Sequence, residues 1–153
     1  MLPLLRSPVY ARRLMHIPPF SLFSAVSELF VTAGVVFVVK RNWDRKPFPF
    51  GVFLTVALFE AFVNVFYMAH RASQAASGRD SLSPALKLGF ALHGMLSLLA
   101  YLVFVVLAVL AYQEQKSGRF LFREHVTVTV TFLVIWVVSI GSGEVMFAVR
   151  YLG

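Results

Sequence analysis

Apolar residues in this chain gather into long runs set off by short polar stretches, instead of alternating at the spacing of a half-buried strand or helix. The clearest run extends from Leu86 to Tyr112. His93 is its one strongly polar side chain, with Lys87 at the entrance and Glu114 at the exit. A hydrocarbon core of ~30 Å, crossed at ~1.5 Å per residue, needs about 20 apolar residues. This run is long enough to cross as one helix. Three further runs read the same way. One spans about 20–39 and closes on Lys40, Arg41, Trp43, Asp44, Arg45 and Lys46, a basic loop with an interfacial tryptophan. Another, about 50–69, starts behind Pro47 and Pro49, suited to a first helical turn, and ends at His70-Arg71. The last, about 126–149, stops at Arg150.

That last run opens as Val126-Thr127-Val128-Thr129-Val130-Thr131, an alternation that predicts a strand in a soluble protein. A lone strand leaves its backbone groups unpaired in lipid, whereas a helix satisfies them internally, so the membrane setting predicts a helix here too. Gly141, Ser142 and Gly143 further along permit close helix–helix approach. Prolines and arginines interrupt residues 1–19, which read as a retained interfacial arm and not as a signal peptide. Residues 72–84 form a polar linker and 113–124 a loop. The expected fold is all-α: a four-transmembrane-helix bundle over residues 20–153, spans 20–39, 50–69, 86–112 and 126–149, both termini on one side.

Composition agrees. The 153 residues are 59% hydrophobic and 14% charged, with a mean hydropathy of +0.78, which places the chain in the membrane class. The net charge of +7 is no nucleic-acid signal, because the basic residues stand at span ends and in short loops, where they meet headgroups. Arg6, Arg12, Arg13, Arg71, Arg79, Lys87 and Arg150 fall on one side, X, and Lys40, Arg41, Arg45, Lys46, Lys116, Arg119 and Arg123 on the other, Y. The balance leaves orientation undecided. The absence of cysteine excludes disulfides, iron-sulfur clusters and covalent c-type haem.

Depth brings the candidate chemistry together. Glu28 lies about eight residues into its span from side X, Glu60 about ten, His93 about eight and Glu144 about six, so all four stand roughly 9–15 Å below one face at the helical rise. Asn64 is one turn from Glu60 on the same face, and Tyr67 and Ser97 are further neighbours of the layer. Ionisable groups in hydrocarbon are costly unless satisfied, which makes them site candidates. Three readings stand: a metal centre of Glu28, Glu60, His93 and Glu144, a proton-exchanging relay, or protonated carboxyls bonding one another and the imidazole to fix the bundle's register. No Glu-x-x-His pair occurs on any span, so the di-iron signature is missing. Gly89, Ala91 and Gly94 near His93 leave room for a flat macrocycle, which makes His93 a candidate axial ligand of haem or a pigment; their other role is helix packing. His125 stands about 17 Å from His93 in depth and does not share an axial position with it. His16 and His70 read as interfacial.

The segments Ala91-Leu92-His93-Gly94, Ala111-Tyr112 with Lys116, Arg123-Glu124-His125, Trp136, Gly143-Glu144-Val145-Met146-Phe147 and Tyr151-Leu152 resemble the YozB/CtaM-like family over roughly residues 20–153. The resemblance implies a small four-span membrane protein associated with maturation of haem-copper oxidases, with His93 and His125 matching the family's histidines in spans three and four. The family usually carries another histidine near the start of span two, where this chain has Phe48, Pro49 and Phe50. The function expected on these grounds is a non-catalytic accessory or assembly subunit of a respiratory oxidoreductase in a prokaryotic cytoplasmic membrane, working through helix–helix contacts with larger subunits in the lipid bilayer. The alternative is a haem- or pigment-binding redox protein with His93 as ligand. A proton channel ranks last, for want of a continuous polar path to side Y.

Overall fold

The computed structural model describes residues 19–76 and 83–151, and every regular element among them is helical: α1 (Pro19–Trp43), α2 (Phe50–Ala76), α3 (Pro84–Gln115), α4 (Leu121–Glu124) and α5 (Val126–Tyr151). All but the last residue of the expected interfacial arm lies outside the described residues. The alternating Val/Thr stretch is the first turns of α5, as lipid requires. Three helices are long and apolar enough to cross a bilayer, at Ser21–Trp43, Pro84–Gln115 and Val126–Arg150. The apolar part of α2 is shorter, Phe50–Phe66, although the helix itself continues to Ala76.

Local chemistry sets the helix ends. Ser83 caps α3, its hydroxyl accepting from the Leu86 N–H at 3.4 Å, with Pro84 in the first turn. At the other end of the bundle α1 runs past Val39 through Lys40 and Arg41, cations that suit a helix C-terminus. It stops in a Schellman turn. The Lys46 N–H donates to the Arg41 carbonyl and the Arg45 N–H to that of Asn42, with Arg45 in the left-handed region at φ 58°. The helix α3 stops the same way: Arg119 N–H to Glu114, Gly118 N–H to Gln115, and Gly118 at φ 76°.

Helices α3 and α5 share the longest contact, α1 packs on α2, and α2 and α5 occupy opposite corners. The buried core is confined to the Y half. It comprises Val31, Val35 and Val38 of α1, Phe53 and Val56 of α2, Phe104 and Ala108 of α3, Phe122 of α4, and Phe132 and Trp136 of α5, among others. Phe104 is its hub, with ring centroids 5.8 Å from Phe53, 6.1 Å from Phe132 and 5.8 Å from Trp136. Gly34 lets α1 and α2 close here: a methyl at that position would fall 2.5 Å from Val56 Cγ2.

The loop expected between the third and fourth spans contains the four-residue α4, which folds back under the core. Phe122 is fully buried. Its N–H donates to the side-chain oxygen of Asn42, also fully buried, at 3.1 Å, and its carbonyl accepts from the Thr129 hydroxyl at 2.7 Å. The Gln115 amide donates to the Lys46 carbonyl at 2.9 Å and Arg41 to that of Pro47 at 3.2 Å. The Y end is thereby closed by polar bonds among α1, α3, α4 and the α1–α2 loop.

Candidate functional site

The X half contrasts with this at once. Among the described residues, none in 21–30, 58–76, 83–99 or 140–150 is fully buried, and Glu28, Glu60, His93 and Glu144 all belong to these segments. Each of the four is partly covered.

The site begins at the floor of the core. The Trp136 indole N–H donates to the Thr32 hydroxyl at 3.3 Å, and that hydroxyl donates to the Glu28 carbonyl at 2.7 Å, one turn earlier on α1. On α2 the Asn64 amide donates both to the Glu60 carbonyl at 2.9 Å and to its carboxylate Oε2 at 3.0 Å. The two glutamates line one small cavity with Ser97, Tyr101, Trp136 and Ser139, with room for about one water molecule. The Tyr101 hydroxyl donates to the Ala57 carbonyl at 3.2 Å, pinning α3 to α2 beside it.

His93 reaches into the same level from α3. Its Nδ1 lies 2.8 Å from the Ser142 hydroxyl, and that hydroxyl donates to the Ser139 carbonyl at 2.6 Å. A serine has one proton to give. With it committed to Ser139, the contact with His93 is the imidazole Nδ1–H donating to Ser142, which leaves Nε2 with its lone pair. That nitrogen faces Gly143. A methyl there would lie 2.8 Å from His93 Cε1, 3.1 Å from Nε2 and 3.5 Å from Glu28 Oε2. The free nitrogen of His93 and the carboxyl of Glu28 thus both border the backbone of Gly143. Glu144, the next residue on α5, and Glu60 both lie within electrostatic reach of Glu28. The arrangement suits exchange of a proton between a carboxyl and an imidazole, and equally a fixed hydrogen-bonded register between α1, α3 and α5.

It does not have the shape of a metal centre. Among the described residues, no three of His, Asp and Glu stand together in a group able to hold one ion. The macrocycle reading of the small residues near His93 also meets obstacles. The space beside Gly89 is taken by Met146, whose Sδ would lie 2.8 Å from a methyl there, and the free edge of the imidazole is turned against Gly143. Gly94 does face open space. Gly141 faces open space as well, so of the three small residues near the end of α5 it is Ser142 and Gly143 that receive a neighbour. His125 is exposed at the start of α5. The side chain of Tyr67 and those of His16 and His70 lie outside the described residues.

Thr32, Tyr101, Trp136, Ser139, Ser142 and Gly143 complete the site without having been read as part of it. The Ser139-x-x-Ser142-Gly143 spacing, one turn of helix at the depth of His93, is the signal from which these three could have been found. No family model, no curated protein and no solved structure matches the chain.

Proposed function

We propose that the chain is a four-span integral membrane subunit, both termini on one side, that works by offering its open half to a larger membrane protein. One observation carries this. Four ionisable residues lie at hydrocarbon depth in the half of the bundle that has no fully buried residue among those described. Lipid supplies no partner for a carboxyl or an imidazole, so their cover comes from protein. The exposed apolar side chains around them are large: Phe30 is 75% exposed, Met95 70% and Val65 67%. Such a surface is inert towards lipid and towards another helix face alike, which makes polar bonds and close packing decide the match.

The resemblance to the YozB/CtaM-like family supplies the kind of partner: a respiratory oxidoreductase of the haem-copper type, which this subunit helps to assemble or stabilise without catalysing a reaction. The reading of His93 as an axial haem ligand is less favoured, because both ring nitrogens already face protein groups. A photo-reactive amino acid at Met95 tests the proposal in native membranes. The expected product is one cross-linked species containing an oxidase subunit, together with loss of assembled oxidase when the chain is deleted. Unchanged oxidase content on deletion, with cross-links to lipid or to a second copy only, overturns it.

A further inference from the structure

The cavity between Glu28 and Glu60 lies where the buried half of the bundle gives way to the open half. Tyr101 and Trp136 bound it with large rings, and Ser97, Ala100 and Ser139 are too small to fill the space these leave. The rings commit their own donors elsewhere, the Tyr101 hydroxyl to the Ala57 carbonyl and the Trp136 indole to Thr32. What remains on the cavity wall is one polar side chain from each of the long helices: Glu28 of α1, Glu60 of α2, Ser97 of α3 and Ser139 of α5.

A serine inside a helix commonly donates to a carbonyl one turn back, as Ser142 does to Ser139. Ser97 and Ser139 make no such bond, and neither hydroxyl donates to any of the described residues. Ser139 is only 4% exposed. An O–H so far from solvent is costly without an acceptor, and the cavity is where these two can find one. Its volume is about 10 Å³, the size of a single water site. The wall offers two hydroxyl donors and two carboxyls, and a carboxyl keeps an accepting oxygen whether or not it holds a proton. Water accepts two hydrogen bonds and donates two, which matches that set. A divalent cation takes about six or more oxygens, and among the described residues no three acidic or imidazole groups stand together to hold one. We propose that this cavity binds one ordered water molecule, accepting from Ser97 and Ser139 and donating to Glu28 and Glu60, so that a single molecule ties all four long helices together. It is independent of the partner proposed for the open half. Lipid gives helices no hydrophobic reason to stay together, so such a tie acts at the level where interlocking side chains run out.

Crystals of the full chain grown from a lipid mesophase test the site directly. One density peak is expected in the cavity, about 2.6–3.2 Å from at least three of the four side chains. An empty cavity, or a peak about 2.4 Å from six or more oxygens, which marks an ion, overturns the assignment. Reversible unfolding in mixed micelles gives a second readout. Ser97→Ala and Ser139→Ala are each expected to lower the folded-to-unfolded ratio about threefold, the size of one hydrogen bond in a membrane bundle. Because both act on one shared molecule, the double variant is expected to lose about fivefold and not the ~ninefold product. Ser139→Ala combined with Thr127→Ala, a position exposed at the start of α5, shows the full product of its two single effects. The full product in the Ser97/Ser139 pair as well overturns the bridge.

Discussion

Phe104 and His93 sit on the same helix about three turns apart, and their surroundings differ in kind. Phe104 is fully buried among three aromatic rings from two other helices, α2 and α5. His93 is held by one serine and lies against one glycine, with apolar neighbours turned outward on either side. Among the described residues, the Y half and the midplane contain every buried residue, and the Y end has both Schellman turns and the inward-folded α4. The X half contains all four ionisable groups of the layer and no fully buried residue among those described. A bundle that was stable by itself throughout would distribute its packing along its length. Here one half holds the helices together and the other packs loosely among the described residues.

The largest break in this comparison comes from Phe104→Ala, expected to cost about 3 kcal/mol, the lower end of the range for a buried aromatic, because the part that derives from leaving water does not apply in lipid. Reversible unfolding in mixed micelles measures it; a cost below that of His93→Ala would remove the distinction between the halves. Next is Gly143→Ala, where the new methyl meets the His93 ring. Crowding costs about 1–3 kcal/mol and the gain in helix propensity returns under ~1, for a net loss of about 1 kcal/mol. Gly141→Ala, two residues away and facing open space, is expected to be neutral or slightly stabilising. Equal effects at the two positions would mean that α3 and α5 do not approach at this level.

The paired turns at the Y end sharpen the comparison further. Arg45 occupies a left-handed position where a Cβ costs about 1 kcal/mol and Gly118 occupies its counterpart without that cost. Arg45→Gly is expected to stabilise and Gly118→Ala to destabilise by that amount, read from the same unfolding curves. The smallest effect concerns Asp44. The Lys40 ammonium, 3.0 Å away, and then Lys46 hold its carboxyl below the ordinary aspartate range. A folded-state pKa below the unfolded one stabilises above about pH 4 and is lost as pH falls through the lowered value. Asp44 is partly covered but its partner Lys40 stands largely in solvent, so the loss is small and shrinks further in high salt; a pH titration of the melting curve against Asp44→Asn checks its sign.

Much of the helical plan was legible because hydropathy in long runs is the strongest signal a chain carries. The start of α3 was read two residues late, at Leu86, because Ser83 and Pro84 looked like the end of the polar linker when they are the cap and first turn of the helix; the Val/Thr alternation at 126–131 was overridden by the backbone's need in lipid. Equal depth placed Glu28, Glu60, His93 and Glu144 at one level of the bundle, and all four are partly covered there. What escaped the sequence was lateral. Depth arithmetic gives height and not azimuth, so it did not distinguish four ligands around one point from Glu28 and His93 each bordering Gly143 while Glu60 pairs with Asn64. Nor did it find Ser142, which lies 49 residues from the histidine it holds. α4 was hidden for another reason: four residues are too few for a period, and Leu121 and Phe122 next to Arg123 and Glu124 look like any loop. Asn42, inside a basic stretch, gave no sign that its amide was destined for burial.

That amide has a consequence for how the chain is made. Asn42 emerges from the ribosome some 80 residues ahead of Phe122, the N–H it accepts from, so the first helix enters the bilayer with its terminus unfinished. Completion waits for the last loop to arrive on the same face. With that loop on the opposite face, the amide of Asn42 and the N–H of Phe122 do not meet and the end stays unsealed.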